Sequence, residues 1–235
     1  MNSLAHAAFG PLTHESAPLR NKIIDALRRA IEIGVLQPGT RLIEKDLCQQ
    51  LNVSRTSLRE ALRQLQAEGL LVELFNRGLA VVEISPADAE NIYRVRGVVE
   101  ALIVEQFVEN ASEMAVEELR RQSEIVREAY LSGEADRIMP AKREFYSRIC
   151  SGAGNAIALN ILDNLTLLTS ALRRRSVVRK ERQKQSIAEI ARIVAAIAKR
   201  DKQAARAAAE LHVLNAARSA FIGADLNVKA RVKNG

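Results

Sequence analysis

Asn52-Val53-Ser54-Arg55-Thr56-Ser57-Leu58-Arg59-Glu60-Ala61-Leu62 is the stretch on which the reading of this chain turns. Asn tolerates the left-handed backbone, so Asn52-Val53 reads as a tight junction. Ser54 then stands as an N-cap, its hydroxyl placed to accept from an otherwise unpaired helical N–H. The helix it opens runs to about Glu68, with Leu58, Ala61, Leu62 and Leu65 on one apolar stripe and Gly69 as the stop. Arg55, Arg59 and Arg63 follow at four-residue spacing on the opposite face.

Upstream, Ile23, Ile24, Leu27, Ala30 and Ile31 recur at helical spacing from about Leu19 to Ile33. Gly34 stops that helix, and Gln37-Pro38-Gly39-Thr40 forms a turn. A second helix is expected over about Glu44–Leu51, with Leu47 and Leu51 inward. Downstream, Leu70–Leu74 and Leu79–Ile84 are short apolar runs around Phe75-Asn76-Arg77-Gly78, the pattern of a hairpin. Helix, turn, capped helix and hairpin in this order predict a winged helix-turn-helix.

The chemistry of such a unit lies in the first turn of its third helix. Free backbone N–H groups and the helix dipole there attract phosphate, and that turn enters the major groove of duplex DNA. Arg55, Arg59 and Arg63 can grip guanine bidentately or clamp phosphate, while Ser54, Thr56 and Ser57 are short hydrogen-bonding groups. Lys45 opens the second helix beside the phosphate backbone, and Arg77-Gly78 places a guanidinium at the wing tip, in reach of the minor groove. Arginines at this spacing also occur on solvated helices, with Glu60 as a local partner. The whole ordered set, rather than the arginines alone, argues for double-stranded DNA.

Ser85-Pro86 marks the second boundary, a Ser cap followed by Pro at the first helical position. Beyond it helices are expected at about 86–110, 113–131, 135–151, 155–174, 180–200 and 202–221, with Ile92, Val95, Val99, Leu102 and Ile103 as an inward stripe. The expected organisation is a mobile arm over 1–18 (its His6 and His14 solvated), a winged helix-turn-helix over 19–84, an antiparallel all-α bundle over 85–222 and a basic tail over 223–235. The fold class is mostly α.

Composition agrees. In 235 residues, 48% are hydrophobic and 27% charged, which excludes wholesale disorder. Aromatics at 3% and the absence of Trp favour packed helices over barrels or sandwiches. No apolar run approaches the ~18 residues of a spanning helix, and Met1–Gly10 lacks the basic-then-apolar pattern of a secretory signal, so no membrane association is expected. The net charge of +7 is compatible with a polyanionic partner. Cys48 and Cys150 form no metal or disulfide pattern, which fits a reducing cytoplasm.

With these motifs quoted, a resemblance follows. Gly34-Val35-Leu36-Gln37-Pro38-Gly39-Thr40-Arg41-Leu42, the stretch from Asn52 to Leu62, Glu68-Gly69-Leu70 and Arg77-Gly78 resemble the GntR family of bacterial transcription regulators. Arg96 through Glu100, Phe145 with Asn155, and Ala196-Ile197 through Asp201 to His212 resemble its FadR-type (FCD) ligand-binding domain. The resemblance implies DNA contacts at Lys45, Arg55, Thr56, Arg59, Arg77 and Gly78, with Ser57 where Pro is frequent. It also implies homodimerisation through the helical domain and repression relieved by a small organic acid.

In many members of that family one Asp and three His hold a divalent metal. Here those positions carry Lys142, Tyr146, Ile190 and His212. A lone imidazole cannot hold a zinc-like ion, which takes three or four ligands, so no metal and no cofactor are expected. One reading gives the Lys142 ammonium the metal's place, binding an effector anion together with Arg96, Tyr146, Asn155 and His212. The other lets Lys142 snorkel to solvent while Tyr146 and Ile190 plug the cavity.

Two motifs stay outside this scheme. Arg173-Arg174-Arg175, with Arg179, Lys180, Arg182 and Lys184, reads as a solvated helix end favourable to the dipole, with phosphate or effector contact as alternatives. Gly152-x-Gly154 follows no strand and so makes no nucleotide loop. The expected function is a ligand-responsive regulator and not an enzyme, since no catalytic carboxylate pair or Ser/His/Asp set converges. The alternative is an effector-independent regulator whose bundle only dimerises.

Overall fold

The computed structural model describes residues 17–75 and 78–222. The arm expected over 1–18, apart from its last two residues, and the tail over 223–235 lie outside the described residues, as does the wing-tip Arg77.

The N-terminal unit consists of α1 (Ala17–Glu32), α2 (Glu44–Leu51), α3 (Arg55–Ala67), β1 (Leu71–Leu74) and β2 (Gly78–Val81). α2 stops because Asn52 turns left-handed, at φ 51° and ψ 51°, and returns its N–H to the carbonyls of Cys48 and Gln49. α3 starts on Ser54, whose Oγ accepts from the Ser57 N–H at 3.1 Å. Its stripe of Leu58, Ala61, Leu62 and Leu65 is buried against Ile23, Leu27 and Ile31 of α1, Leu47 of α2, and Leu70, Leu71 and Val81 around the hairpin. The strands pair antiparallel from Leu71↔Val81 to Leu74↔Gly78. Gly78 closes the wing at φ +80°, a conformation that costs glycine little. The segment after the Gly39 turn lies along β2, with the Leu42 N–H donating to Leu79 O at 2.8 Å and the Val81 N–H to Thr40 O at 3.0 Å.

Among the described residues seven helices follow: α4 (Pro86–Asn110), α5 (Glu113–Ser132), α6 (Ala135–Ala153), α7 (Ala156–Leu168), α8 (Ser170–Val177), α9 (Lys180–Ala198) and α10 (Lys202–Phe221). α4 and α10 run antiparallel, since Gly97 faces Val213 while Glu105 and Glu109 meet Arg206 and Lys202. Ile103, Phe107, Leu119, Tyr130, Ile138, Phe145, Ile149, Ile190, Ile193 and Ile197 form the bundle core. Gly152 lies inside α6 and lets it close on α4: a Cβ there would run into the Phe107 ring.

Two expectations are corrected. The single helix expected over 155–174 is two, broken at Thr169 (φ −98°, ψ 12°), whose hydroxyl donates back to Leu165 O at 3.0 Å. Such back-bonding competes with the regular ladder. The inward stripe on α4 is also displaced: Val95 and Leu102 are 49% and 41% exposed, whereas Tyr93, Arg96, Glu100, Ala101 and Val104 are buried.

The two units share a seam. Leu167, at the end of α7, is buried in the core of the winged unit. Asn164 Nδ2 donates to Glu68 O at 3.0 Å, and Arg28 of α1 pairs with the Glu68 carboxylate at 2.6 Å. Just past the C-terminal end of α1, the Arg174 side chain packs against Gly34. Among the described residues, no helix is long and apolar enough to cross a membrane.

Candidate functional sites

The first site is the outer face of α3. The Ser54 cap and the buried leucines fix the helix, which leaves Arg55, Thr56, Arg59 and Arg63 exposed and Ser57 half-buried. Lys45 is exposed at the start of α2, and Gly78 at the wing. Arg59 Nε lies 2.9 Å and 3.2 Å from the two carboxylate oxygens of Glu44, which ties the first turn of α2 to that of α3. Arg63 pairs with Glu60 at 2.9 Å within its own helix, the local partnership expected of a solvated arginine. Both are surface pairs, and such pairs are worth about 0–1 kcal/mol. Their guanidinium groups are therefore easily turned outward. Arg55 makes no ion pair among the described residues.

The second site is a buried polar cluster in the bundle. Arg96 directs Nε and Nη2 at Glu100 Oε1, 3.1 Å and 2.6 Å away, with both residues no more than 2% exposed. Burial opposes ionisation of Glu100, but Arg96 and its cationic neighbours hold the carboxyl below its usual pKa. Glu100 Oε2, Arg96 Nη1 and the Tyr146 hydroxyl are buried without a well-formed hydrogen bond. Burial and then the Glu100 charge push the Tyr146 phenol well above its ordinary pKa, so it remains a donor.

Behind them, Lys142 Nζ lies 3.3 Å from His212 Nε2, and His212 Nδ1 lies 2.7 Å from Glu189 Oε2. Arg182 joins Glu189 at 2.8 Å, and Asn215 Nδ2 donates to Glu189 Oε1 at 2.7 Å. Burial, reinforced by Lys142, lowers the His212 pKa to about 4. The network thus assigns a neutral imidazole with Nδ1–H donating to Glu189 and the Nε2 lone pair facing Lys142. Burial opposes the Glu189 charge, yet hydrogen bonds from His212 and Arg182 bring its pKa to about 2. Burial and then Arg173, Arg182 and Arg96 hold the Lys142 amine well below its usual value.

This geometry decides the fate of Lys142. It is 4% exposed, so it does not snorkel to solvent. Its amine sits on the one imidazole nitrogen a metal would need. With Tyr146 and Ile190 at the neighbouring family positions, the donor set does not fit a divalent ion. Asn155 stands apart from the cluster: its Oδ1 accepts from the Ala158 N–H at 2.9 Å to cap α7, and its Nδ2 donates to Gln106. Arg182 and Glu189 were missed as cluster members. The signal was there, in a seven-residue spacing that puts both on the face of α9 that carries Ile193.

A cavity of ≈ 850 Å³ opens between α1 and the helices α6, α7 and α8. Glu100 and Tyr146 form its buried wall, Glu32 belongs to its α1 side, and Arg173 and Arg174 line its α8 side. The basic run is therefore a solvated helix end only in part, with Arg175, Lys180 and Lys184 exposed. Arg175 alone of the three is exposed, Arg174 pairs with Asp136 at 2.6 Å, and Arg173 faces the cavity. A smaller cleft of ≈ 450 Å³ follows the seam between α1, α3 and α7.

A winged helix-turn-helix with an open recognition helix, joined to a seven-helix bundle with a cavity at the joint, defines a DNA-binding transcription regulator rather than an enzyme. The sequence pattern described as "Bacterial regulatory proteins, gntR family" matches residues 19–81, and that of the FCD domain matches residues 91–215. The chain belongs to the GntR family, with an FCD domain after its DNA-binding unit. It is similar to the HTH-type transcriptional regulator McbR of Escherichia coli (strain K12), 30% identical over 156 residues that span 66% of this chain and 70% of that protein. It is also similar to YdhC of Bacillus subtilis (strain 168), named an uncharacterized HTH-type transcriptional regulator, 27% identical over 80% of this chain and 85% of that protein. The solved structure of E. coli McbR/YncC shares the fold, with a TM-score of 0.79 at 24% identity over 88% of this chain and 98% of that one.

Proposed function

We propose that this regulator is a homodimeric repressor whose grip on a roughly palindromic operator is released by a small organic anion bound at the bundle without a metal. The observation that carries the DNA-binding part is the exposed, Ser-capped first turn of α3 over a fully buried leucine stripe. Arg55 and Arg59 read bases there. Ser54, Thr56, Ser57, Arg63 and Lys45 hold phosphates, and Arg77-Gly78 takes the wing to the minor groove.

The dimer surface is assigned to α4 and α10. Val95, Val98 and Leu102 lie exposed along one face of α4, and Leu211 and Leu214 lie exposed on α10 beside it. An apolar face on two packed neighbours is the expected form of a two-fold contact between identical chains. The effector part rests on the cavity, where Tyr146 is the one residue of the anticipated five that lines the wall. Arg96, Lys142 and His212 stand behind it in pairs already formed, which favours the second reading, an effector-independent regulator.

The test begins with DNA selected from a random pool by the wild-type chain. In anisotropy titrations at fixed salt, Arg55→Ala with Arg59→Ala should weaken binding at least tenfold while circular dichroism is unchanged. Undiminished binding by a folded double variant overturns the assignment. Thermal-shift screening against organic acids separates the two readings, because a ligand that binds only the folded state raises its stability.

A further inference from the structure

Phe75 is 91% exposed, more than any other large hydrophobic side chain among the described residues. It follows β1 at the turn of the wing, just beyond the pair Leu74↔Gly78. The wing is held to the rest of its unit by Leu70, Leu71 and Val81, which enter the core, and the Phe75 ring adds nothing to that hold. A phenyl ring left in water forgoes the whole gain of burying it. Single exposed apolar residues are ordinary on a protein surface, so the place of this one carries the argument.

Three connections bring the turn of the wing to the end of the unit that faces DNA. The segment after Gly39 runs antiparallel to β2, through the Arg41↔Ala80 bridge and the bond from the Leu42 N–H to Leu79 O at 2.8 Å. It therefore travels toward the wing's turn, and two residues past Leu42 it opens α2 at Glu44. Glu44 in turn holds Arg59, in the first half of α3, at 2.9 Å. The turn carrying Phe75, the exposed Lys45 and the open face of α3 thus share one end of the winged unit. The carboxylates of Glu44 and Glu73 offset part of the positive charge there, so the ring gives this end a non-electrostatic group that charge alone does not supply.

An apolar side chain pushed into the minor groove can enter a base step, unstack it in part and kink the duplex. Pyrimidine–purine steps yield most easily to such a wedge. We infer that Phe75 is an apolar wedge for the operator: its ring enters the minor groove beside each half-site, packs on deoxyribose, partly opens a pyrimidine–purine step and so bends the DNA. This rests on the reading of the chain as a regulator that sets α3 in the major groove and its wing in the minor one. It adds to the arginines, which read base edges and phosphates, a group that reads how readily the duplex deforms.

The experiment uses the full chain and DNA selected from a random pool by the wild type. At fixed salt, Phe75→Ala should bind that DNA at least fivefold more weakly with an unchanged melting temperature. The slope of log affinity against log salt should also be unchanged, because no phosphate contact is lost. Phe75→Leu, which keeps an apolar wedge, should recover part of the affinity. DNA labelled with a fluorophore at each end should be bent less by Phe75→Ala than by the wild type, and a fresh selection with that variant should lose the pyrimidine–purine step beside the half-site. Met114→Ala, which removes a side chain 73% exposed on α5, should bind as the wild type does. Undiminished binding and bending by Phe75→Ala overturn the wedge and leave the assignment of α3 standing. A loss of affinity that comes with a loss of self-association in the DNA-free chain, read by sedimentation, gives the ring to a contact between copies and overturns the wedge as well. A wild type that enriches no sequence from the pool overturns the operator reading and the wedge with it.

Discussion

Asn164 on α7 donates from Nδ2 to the backbone carbonyl of Glu68, the C-cap residue of α3, at 3.0 Å. The bundle thereby holds the rear end of the recognition helix, and Leu167, one turn further on, fills the core beneath it. The winged unit is not an independent bead on a linker. Leu167→Ala should destabilise it by about 2 kcal/mol, the low end of leucine truncation because the residue lies at a seam. Urea unfolding followed by circular dichroism measures this, and a loss below about 0.5 kcal/mol would count against the docking.

Arg59 and Arg63 share a face but not a neighbour. Arg59 is paired across to α2 through Glu44, and Arg63 only to Glu60 on its own helix. If Arg59 reads guanine, Arg59→Ala should cost ~1–3 kcal/mol of operator affinity and relax selectivity at one base pair. Arg63→Ala should instead lower affinity on all sequences alike and flatten the salt dependence. Titrations on the selected site and on single-base variants of it distinguish the two.

Much of the winged unit was legible because each of its boundaries has a local cause. Asn52 ends α2 by turning left-handed, Ser54 starts α3 by capping, and the change from helical to alternating period announces the hairpin. The bundle was legible as helices but not as surfaces. Val95 and Leu102 look like core on any helical count, yet α4 turns them outward and buries Arg96 and Glu100, because those two neutralise each other inside. Thr169 carries no glycine or proline signal, and only its bond to the Leu165 carbonyl reveals the break between α7 and α8. The half-burial of Arg173 and Arg174 follows that break, so it could not be seen in a run of arginines.

Gly152 is a packing glycine. It sits in the last turn of α6, and a methyl group there meets the Phe107 ring, which is fully buried and has little room to move. Gly152→Ala should therefore destabilise the bundle by about 1–3 kcal/mol, although alanine is the better helix former by about 1 kcal/mol. Phe107→Leu in the same chain should recover part of that loss. Thermal unfolding of the single and double variants tests the pair.

The His212 cluster predicts the acid limb of the stability curve. Lys142 of α6 and Arg182 of α9 disfavour a charge on His212, whereas Glu189 of α9 and Glu100 of α4 favour it; burial prevails and its folded pKa is about 4. The unfolded chain therefore binds the extra proton first. Stability from this group is complete above the unfolded value of 6.5 and is lost as pH falls from 6.5 to about 4, on the order of 3 kcal/mol. Glu189, with a folded pKa of about 2 against 4.5 unfolded, extends the loss from 4.5 down to about 2. Urea midpoints measured from pH 7 to pH 4 should fall steadily, and His212→Gln should flatten the segment above pH 5. A wild-type profile flat between pH 6.5 and 5 would contradict the neutral, buried imidazole.

The same cluster makes a chemical prediction about metals. His212 Nε2 faces the Lys142 amine, Tyr146 is four residues further along α6, and Ile190 is on α9, so a single imidazole remains where four ligands would be wanted. Protein stripped with a chelator should show no stoichiometric uptake of zinc or nickel in calorimetry, and no rise in melting temperature on adding either. Lys142→Asp, Tyr146→His and Ile190→His together replace a competing cation and two non-ligands with one carboxylate and two imidazoles around the existing one. That variant should take up one equivalent and be stabilised by it, since metal binding to the folded state alone adds to folding free energy. Tight one-to-one binding by the unaltered chain would show that Lys142 yields its place to an ion, and the account of the cluster as a closed network of hydrogen bonds would be wrong.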